Sequence, residues 1–351
     1  MEIKIGNKKV GGKNSVFVIA EAGVNHNGKI NLAKKLVNAA VECGADAIKF
    51  QNFITEEIIR KNAPKAAYQS RNIGRKKSQY DMLKELELNP DQTSSLKKYC
   101  DKKGIIFLST AYDFKSLKLL EKINVVAHKL ASIDAVCHPL IKKIAQTKKP
   151  LILSTGMTTE KEVNQAVKIF KTKTGSTKNL ILLQCNTNYP AKPQDQNLLV
   201  MNTLKKYVPI VGFSDHTEGN EISIAAVALG AKVIEKHFTL NKNMPGPDHK
   251  ASMDPQEFKM FVRKIKKVES ALGSEIKKPT GGELENIIGM RRSICAKIDI
   301  PKNTVLTENH FVYKRPRNGL SPTENNIKKL IGKKTKESIT VDENINLNLV
   351  K

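Results

Sequence analysis

Short apolar runs alternate along most of this chain with longer runs that are apolar on one face only. Eight runs are of strand type: "SVFVIAEAG", "AIKFQ", "IIFLST", "HKLAS", "LILSTG", "LILLQC", "IVGFSD" and "VIEKHF". Between them lie "LAKKLVNAAVECG", "QTSSLKKYCDKKG", "SLKLLEKI", "LIKKIAQTKK", "KEVNQAVKIFK", "LVMNTLKKY" and "NEISIAAVALG", whose apolar positions recur at helical spacing. Strict alternation predicts parallel strands joined by crossovers. Eight such units predict an α/β protein built as a (β/α)8 TIM barrel, with "PQEFKMFVRKIKKVESALG" as its last helix. "GSEIKKPTGGE" then reads as a linker, and the tail has short β-like pieces, Pro and Asn turns and no long helix. The predicted organisation is a barrel over residues 1–272, a linker over 273–289 and a small domain over 290–351. "GNKKVGGKN" imitates a phosphate loop, but Gly12 stands where Lys is required, Asn14 replaces Ser or Thr, and the stretch precedes a strand, so it reads as a hairpin turn.

In barrels of this kind chemistry sits where the strands end, and here every such end is polar. The first candidate strand reaches Glu21. The second carries Lys49 and Gln51, two apart and so on one face, and the third ends in Thr110. The later ends supply Lys129 and Ser132, Ser154, Thr187, Ser214 with His216, and Glu235 with His237. Lys129 and Ser132 differ in parity, so both face one site only if their strand stops between them. Either histidine alone reads as a packed side chain or a general base. As a pair on neighbouring strands, His216 and His237 suit an octahedral divalent ion, Mn²⁺ ahead of Mg²⁺ or Co²⁺, completed by water and substrate oxygens. Lys49, Lys129, Ser132, Ser154, Thr187 and Ser214 form a ring of cations and hydroxyls suited to a small phosphorylated carboxylate. Taken singly, these hydroxyls also read as helix caps, as do Thr158 and Thr159. Glu21 and Asp134 are candidates for proton transfer, for orienting a sugar, or for purely structural hydrogen bonds.

Composition narrows the class. The chain has 351 residues, 40% of them hydrophobic and 27% charged, which is ordinary for a globular protein. Its longest apolar stretch, near "ISIAAVALGAKVI", is short and interrupted for a membrane span. Cys43, Cys100, Cys137, Cys185 and Cys295 show no paired spacing, which fits free thiols in a reducing compartment, and the expected location is the cytoplasm. Lys and Arg number 60 against 34 Asp and Glu, a net charge of +26 that raises a nucleic-acid partner as one alternative. The excess is mostly Lys spread over helix-like segments such as "RKIKKVES", with few aromatics interleaved. It therefore reads as a solvated surface able to steer anionic substrates.

The motifs "IAEAGVNHNG", "GADAIKFQ", "FLSTAYD", "KPLILSTGM", "LLQCNTNYPA", "VGFSDHT", "GAKVIEKHFTLNKNMPGPDHKAS" and "VYKRPRNG", in this order, resemble those of the sialic acid synthases. That resemblance implies condensation of phosphoenolpyruvate with an N-acylated mannosamine. It also implies a C-terminal domain similar to type III antifreeze proteins (a SAF domain), and a homodimer in which this domain caps the partner's barrel. Carried over by position, it assigns Lys49, Gln51, Thr110, Lys129, Ser132, Ser154, Thr187 and Ser214 to phosphoenolpyruvate and His216 and His237 to the metal. Glu21, Asp134, Tyr189, Asp248 and Arg315 fall to the sugar, and Glu21, His216 and His237 to catalysis. Two departures stand out: "KLASIDA" has Ile133 and Asp134 where relatives commonly carry Gly and Glu, and Thr187 replaces a frequent Ser. "APKAAYQSRN" followed by "SQYDMLKELEL" looks closer to the branch that includes legionaminic acid synthases, leaving N-acetylmannosamine and 2,4-diacetamido-2,4,6-trideoxymannose as the expected acceptors. The alternatives carried from the residues are another metal-dependent barrel aldolase or phosphohydrolase, and a basic nucleic-acid-binding protein.

Overall fold

The computed structural model describes residues 1–65, 69 and 78–351; most of the "APKAAYQSRN" stretch lies outside the described residues. The chain divides into two compact units, Met1–Gly273 and Ser274–Lys351.

The first unit begins with an antiparallel hairpin of β1 (Glu2–Ile5) and β2 (Lys8–Gly11), turning at Gly6 and Asn7 where the phosphate-loop imitation begins. Eight parallel strands then close a barrel. They are β3 (Phe17–Gly23), β4 (Ala47–Asn52), β5 (Ile106–Ala111), β6 (His128–Leu130), β7 (Leu151–Ser154), β8 (Leu180–Cys185), β9 (Ile210–Asp215) and β10 (Val233–His237). Each falls within one of the eight apolar runs or extends it by a single residue.

The barrel interior follows from the two-residue period of a strand. Phe17, Ile19, Ala47, Ile106, Leu108, Ile152, Ile181, Leu183, Ile210 and Val233 form one buried cluster, joined by Ile3, Ile5 and Val10 of the hairpin. The hairpin therefore packs against the apolar start of the barrel. The alternate positions, such as Val18, Ala20, Ile48 and Phe50, pack outward with helix residues such as Leu36, Val37 and Phe258. Continuing the inward parity along each strand leads from Ile19 to Glu21, from Ala47 to Lys49 and Gln51, and from Val233 to Glu235 and His237. One face thus changes from hydrocarbon to charge along its length. Register then fixes the neighbours: Glu21 lies beside Lys49 and His237, Gln51 beside Thr110, Thr110 beside Lys129, and Ser214 beside Glu235.

Local chemistry starts several helices. Thr159 with Glu162, Asn89 with Gln92 and Asp254 with Glu257 are capping boxes, the last two followed by Pro at the first helical position. Among the described residues, no helix is long and apolar enough to cross a membrane.

The second unit gathers Ile294, Ala296, Ile300, Leu306, Phe311, Leu330, Ile339, Ile345 and Val350 around an antiparallel pair, β11 (Ser293–Ala296) and β12 (Phe311–Lys314). The sequence reading of a linker running into a tail without a long helix needs correction here. Gly281–Met290 is a ten-residue helix, because Thr280 and Glu283 form a capping box and Gly281 and Gly282 occupy its first turn, where backbone N–H groups need no helical partner.

Gly212 lies on the inward parity of β9, where an added Cβ would sit 2.2 Å from the Val233 carbonyl oxygen and 2.7 Å from Leu183 Cδ2. Gly212→Ala should destabilise the barrel by about 1–3 kcal/mol, at the upper end because backbone must move. Urea denaturation monitored by circular dichroism checks this, with a lowered midpoint expected.

Candidate active site

Where the inward face becomes polar, a cavity of about 520 Å³ opens. Its floor is a cluster of four buried charges. Lys49 Nζ lies 3.0 Å from Glu21 Oε2 and 3.4 Å from Glu235 Oε1, and Lys129 Nζ lies 3.7 Å from the same Glu235 oxygen. Hydroxyls and an amide complete the set. Lys129 donates to Ser154 Oγ at 2.8 Å and Lys49 to Thr110 Oγ1 at 3.1 Å. Ser214 Oγ donates to Glu235 Oε1 at 3.4 Å and Gln51 Nε2 to Glu21 Oε1 at 3.1 Å.

Two carboxylates flanking one ammonium cannot ionise with equal ease. Burial raises both. For Glu235 the pull of Lys129 and Lys49 outweighs burial and holds its pKa below the ordinary value. For Glu21 burial wins over Lys49, with Glu235 adding to it, and the pKa rises to about 7. Burial works against the charged form of Lys49 too, but Glu21 and Glu235 overcome it and keep the ammonium. Lys129, with burial dominant, is lowered.

His216 follows the last residue of β9, and His237 ends β10. Their ring centroids are 5.3 Å apart, and the Tyr189 ring lies 4.1 Å from the first and 5.6 Å from the second. His216 Nδ1 makes a short hydrogen bond to the Asn186 carbonyl, so the proton sits on Nδ1 and the Nε2 lone pair is available. The segment is strapped down on both sides. Ala191 N–H donates to the His216 carbonyl at 2.8 Å, and Asp215 accepts from the Thr217 N–H and hydroxyl and from Ser223, besides pairing with Lys236 at 2.9 Å. Burial, then the proximity of His216, holds His237 well below the ordinary imidazole pKa, so its ring is neutral at pH 7. Its Nδ1 is buried without a hydrogen-bond partner. Burial opposes a charge on His216, but Cys185, the Asn186 carbonyl and Glu235 overcome it and raise its pKa above the ordinary value, so a cation there would displace a proton; with that proton gone, the two nitrogens at one rim fit a divalent cation. No group of three or more His, Cys, Asp or Glu side chains placed to hold an ion occurs among the described residues, so such an ion would draw its other ligands from water and substrate.

The remaining predicted residues fall around this floor. Ser132 starts a 3-10 turn just after β6 ends at Leu130, so strand termination does bring it round beside Lys129. Its hydroxyl accepts from the Gly156 N–H at 2.9 Å. A Cβ at Gly156 would meet Ser132 Oγ and Thr187 Cγ2 at 2.8 Å, so the glycine lets three loops converge. Thr187, Tyr189, Asp134 and Asp248 line the cavity. Burial raises Asp134 to about 7 and Asp248 to about 6, and each keeps a buried carboxylate oxygen without a partner. Thr110 is placed differently from the expected ligand contact: it is fully buried behind Lys49 and does not line the cavity. Arg315 is exposed in the second unit, directly after β12. The sequence reading gave Glu235 no role, although its parity with His237 marked it as inward-facing. Nor did it foresee the Asn186 carbonyl, since side-chain identity carries no signal for a backbone acceptor.

Residues 36–277 match the model of the NeuB family. The chain is 45% identical over 306 residues to the N,N'-diacetyllegionaminic acid synthase of Campylobacter jejuni, covering 87% of this chain and 92% of that one. It is 43% identical over 322 residues to the synthase of the same name from Legionella pneumophila, covering 91% and 90%. The crystal structure of N-acetylneuraminic acid synthetase from Leptospira borgpetersenii superposes with a TM-score of 0.71 at 36% identity, covering 82% of this chain and 95% of that one. A family match over most of the barrel and relatives matched along nearly the whole length establish that the chain belongs to the NeuB family.

Proposed function

We propose that this protein condenses phosphoenolpyruvate with an N-acylated mannosamine to give a nine-carbon 2-keto acid and phosphate. The observation that carries the reading is the buried pair of ammonium groups, Lys49 and Lys129, set within one cavity beside His216 and His237. Lys49, Lys129, Ser154 and Ser214 hold the phosphate and carboxylate of phosphoenolpyruvate, with Gln51, Ser132 and Thr187 at the edge of the same cavity. Thr110 acts through Lys49, whose ammonium it anchors. His216 and His237 hold a divalent cation, Mn²⁺ first, which when bound supplies Lewis-acid polarisation of the acceptor's aldehyde. C3 of phosphoenolpyruvate forms the new bond to the aldehyde carbon, whose oxygen takes up a proton; water adds at C2, and the C2–O bond to phosphate breaks as the new C2 hydroxyl gives up its proton to leave the ketone. Glu21, at 3.0 Å from Lys49, orients that water and takes its proton. Asp134, Tyr189 and Asp248 line the acceptor's path.

The acceptor of this proposal is 2,4-diacetamido-2,4,6-trideoxymannose ahead of N-acetylmannosamine, a choice supported by the names of the two bacterial relatives. The proposal includes a homodimer in which an antifreeze-like second unit brings Arg315 to the acceptor in the partner's barrel. It places the enzyme in a reducing cytoplasm, which the free cysteines support.

Chelation with EDTA should abolish phosphate release from phosphoenolpyruvate, and added Mn²⁺ should restore it. His216→Ala or His237→Ala should lower kcat more than about 100-fold, beyond what even second-layer changes around a metal cost, while the exposed Lys259→Ala leaves it unchanged. Full activity in EDTA would refute the metal.

Glu21 must be ionised to accept a proton, and its pKa of about 7 puts the protonated, inactive form below neutrality. kcat/KM should therefore fall as pH drops through about 7, and Glu21→Gln should remove that acid limb along with most of the rate; a pH profile of both proteins decides.

Mixing inactive Arg315→Ala with inactive His216→Ala should regenerate activity through hybrid dimers. A mixture that stays inactive would place Arg315 outside the partner's site.

A further inference from the structure

The cavity has a second wall of opposite character to its floor. Phe53, Ile58, Met82, Leu83 and Leu86 line it and pack as one apolar cluster with Val24 and Tyr112. The first five stand on the stretch between β4 and β5. In the ring order β10, β3, β4, β5, β6, β7, β8, β9, the strand β4 lies four places from β8, diametrically across the barrel mouth, three from β9 and two from β10. Tyr189 follows β8, across the ring from the strand that leads into the wall, and His216 and His237, on β9 and β10, lie between the two. An acceptor whose aldehyde meets the imidazoles therefore shares one cavity with this hydrocarbon.

Charge sharpens this. Among the described residues lining the cavity, Lys49 and Lys129 are the only ammonium or guanidinium groups, and both belong to the floor. The wall side adds a single ionic group, the carboxylate of Glu57, which is itself paired with Lys115 at 2.6 Å. Among the described residues, a phosphate against this wall would meet apolar carbon and the Glu57 carboxylate, whose neighbouring ammonium is already paired. A methyl group would be buried.

We infer that the wall of Phe53, Ile58, Met82, Leu83 and Leu86 is the specificity determinant of this enzyme, selecting acceptors that end in a methyl group and rejecting those that end in a phosphate. The inference rests on the condensation proposed above and assigns the acceptor's terminal carbon to a set of residues. Selection works on both sides, through burial of the methyl group and through the cost of pressing a charged phosphate against the apolar surface.

The test is steady-state phosphate release from phosphoenolpyruvate by the full-length protein with three acceptors that differ at C6 alone: 6-deoxy-N-acetylmannosamine, N-acetylmannosamine and its 6-phosphate. The expected order of kcat/KM is deoxy, hydroxyl, phosphate, with roughly tenfold or more between the first and second, as one group in an apolar pocket confers. Leu83→Lys places an ammonium in the wall and should cut the deoxy-to-phosphate ratio at least roughly tenfold. Leu83→Met should preserve the ratio, and Ile58→Lys repeats the test from a second position should Leu83→Lys fail to fold. Turnover with the 6-phosphate preferred, or ratios unmoved in folded lysine variants, would overturn the wall and leave the condensation standing. Absence of phosphate release with every acceptor, including 2,4-diacetamido-2,4,6-trideoxymannose, would overturn the condensation and the wall together.

Discussion

The structure depends on four charges that water has been made to leave. Lys49, Lys129, Glu21 and Glu235 are nearly inaccessible, and each would be costly to bury alone. They are tolerable because the closed barrel fixes them at mutual distances of 3.0 to 3.7 Å and supplies Thr110, Ser154, Ser214 and Gln51 for further hydrogen bonds. Such a cluster needs a rigid surround, since a shift of one strand would strand an ammonium in hydrocarbon. The interior cluster beneath it, sealed by Ile3, Ile5 and Val10 of the hairpin, provides that rigidity. The polar floor and the apolar base are the same strand faces at different heights.

That continuity is why so much of the site was legible in the sequence. A strand exposes alternate residues to one side, so an apolar series such as Phe17 and Ile19 names Glu21 as its next member, and Ala47 names Lys49. Period and strand ends together point to the polar floor and leave the apolar wall unmarked. They failed where geometry runs across strands. Thr110 has the right parity, but the ammonium of Lys49 stands over it, and this depends on the register of two strands. Glu235 shares the inward parity of His237, but its role depends on two lysines from other strands, which parity does not reveal. The helix Gly281–Met290 was hidden by its own first turn, in which two glycines imitate a linker although Thr280 and Glu283 mark a helix start.

The overall charge of +26 reads differently once the cavity is seen. Among the described residues, the lining has five carboxyl side chains, Glu21, Glu57, Asp134, Glu235 and Asp248, against two lysines. The positive excess lies outside the cavity, where it raises the local concentration of anions without fixing any of them. Inside, three of the carboxyls have pKa values of about 6 to 7, because burial opposes their ionisation. The cavity is therefore less negative near neutral pH than its composition suggests, which removes an obstacle to binding an anionic substrate between its lysines.

Reaction and selection are built from different parts of the chain. The groups proposed to hold phosphoenolpyruvate and the metal come mainly from strand ends, where backbone register sets each position and neighbouring residues constrain one another. The apolar wall comes from the segment after β4, where Phe53 and Ile58 lie, and from the stretch holding Met82, Leu83 and Leu86. None of these five side chains has a part in the floor's hydrogen bonds, so a change in the wall alters what fits against it without moving Lys49 or Lys129. A change in the floor has no such freedom, because Glu235 answers to both lysines and to Ser214 at once. This separation lets one barrel keep a fixed condensation while its loops set which sugar is admitted.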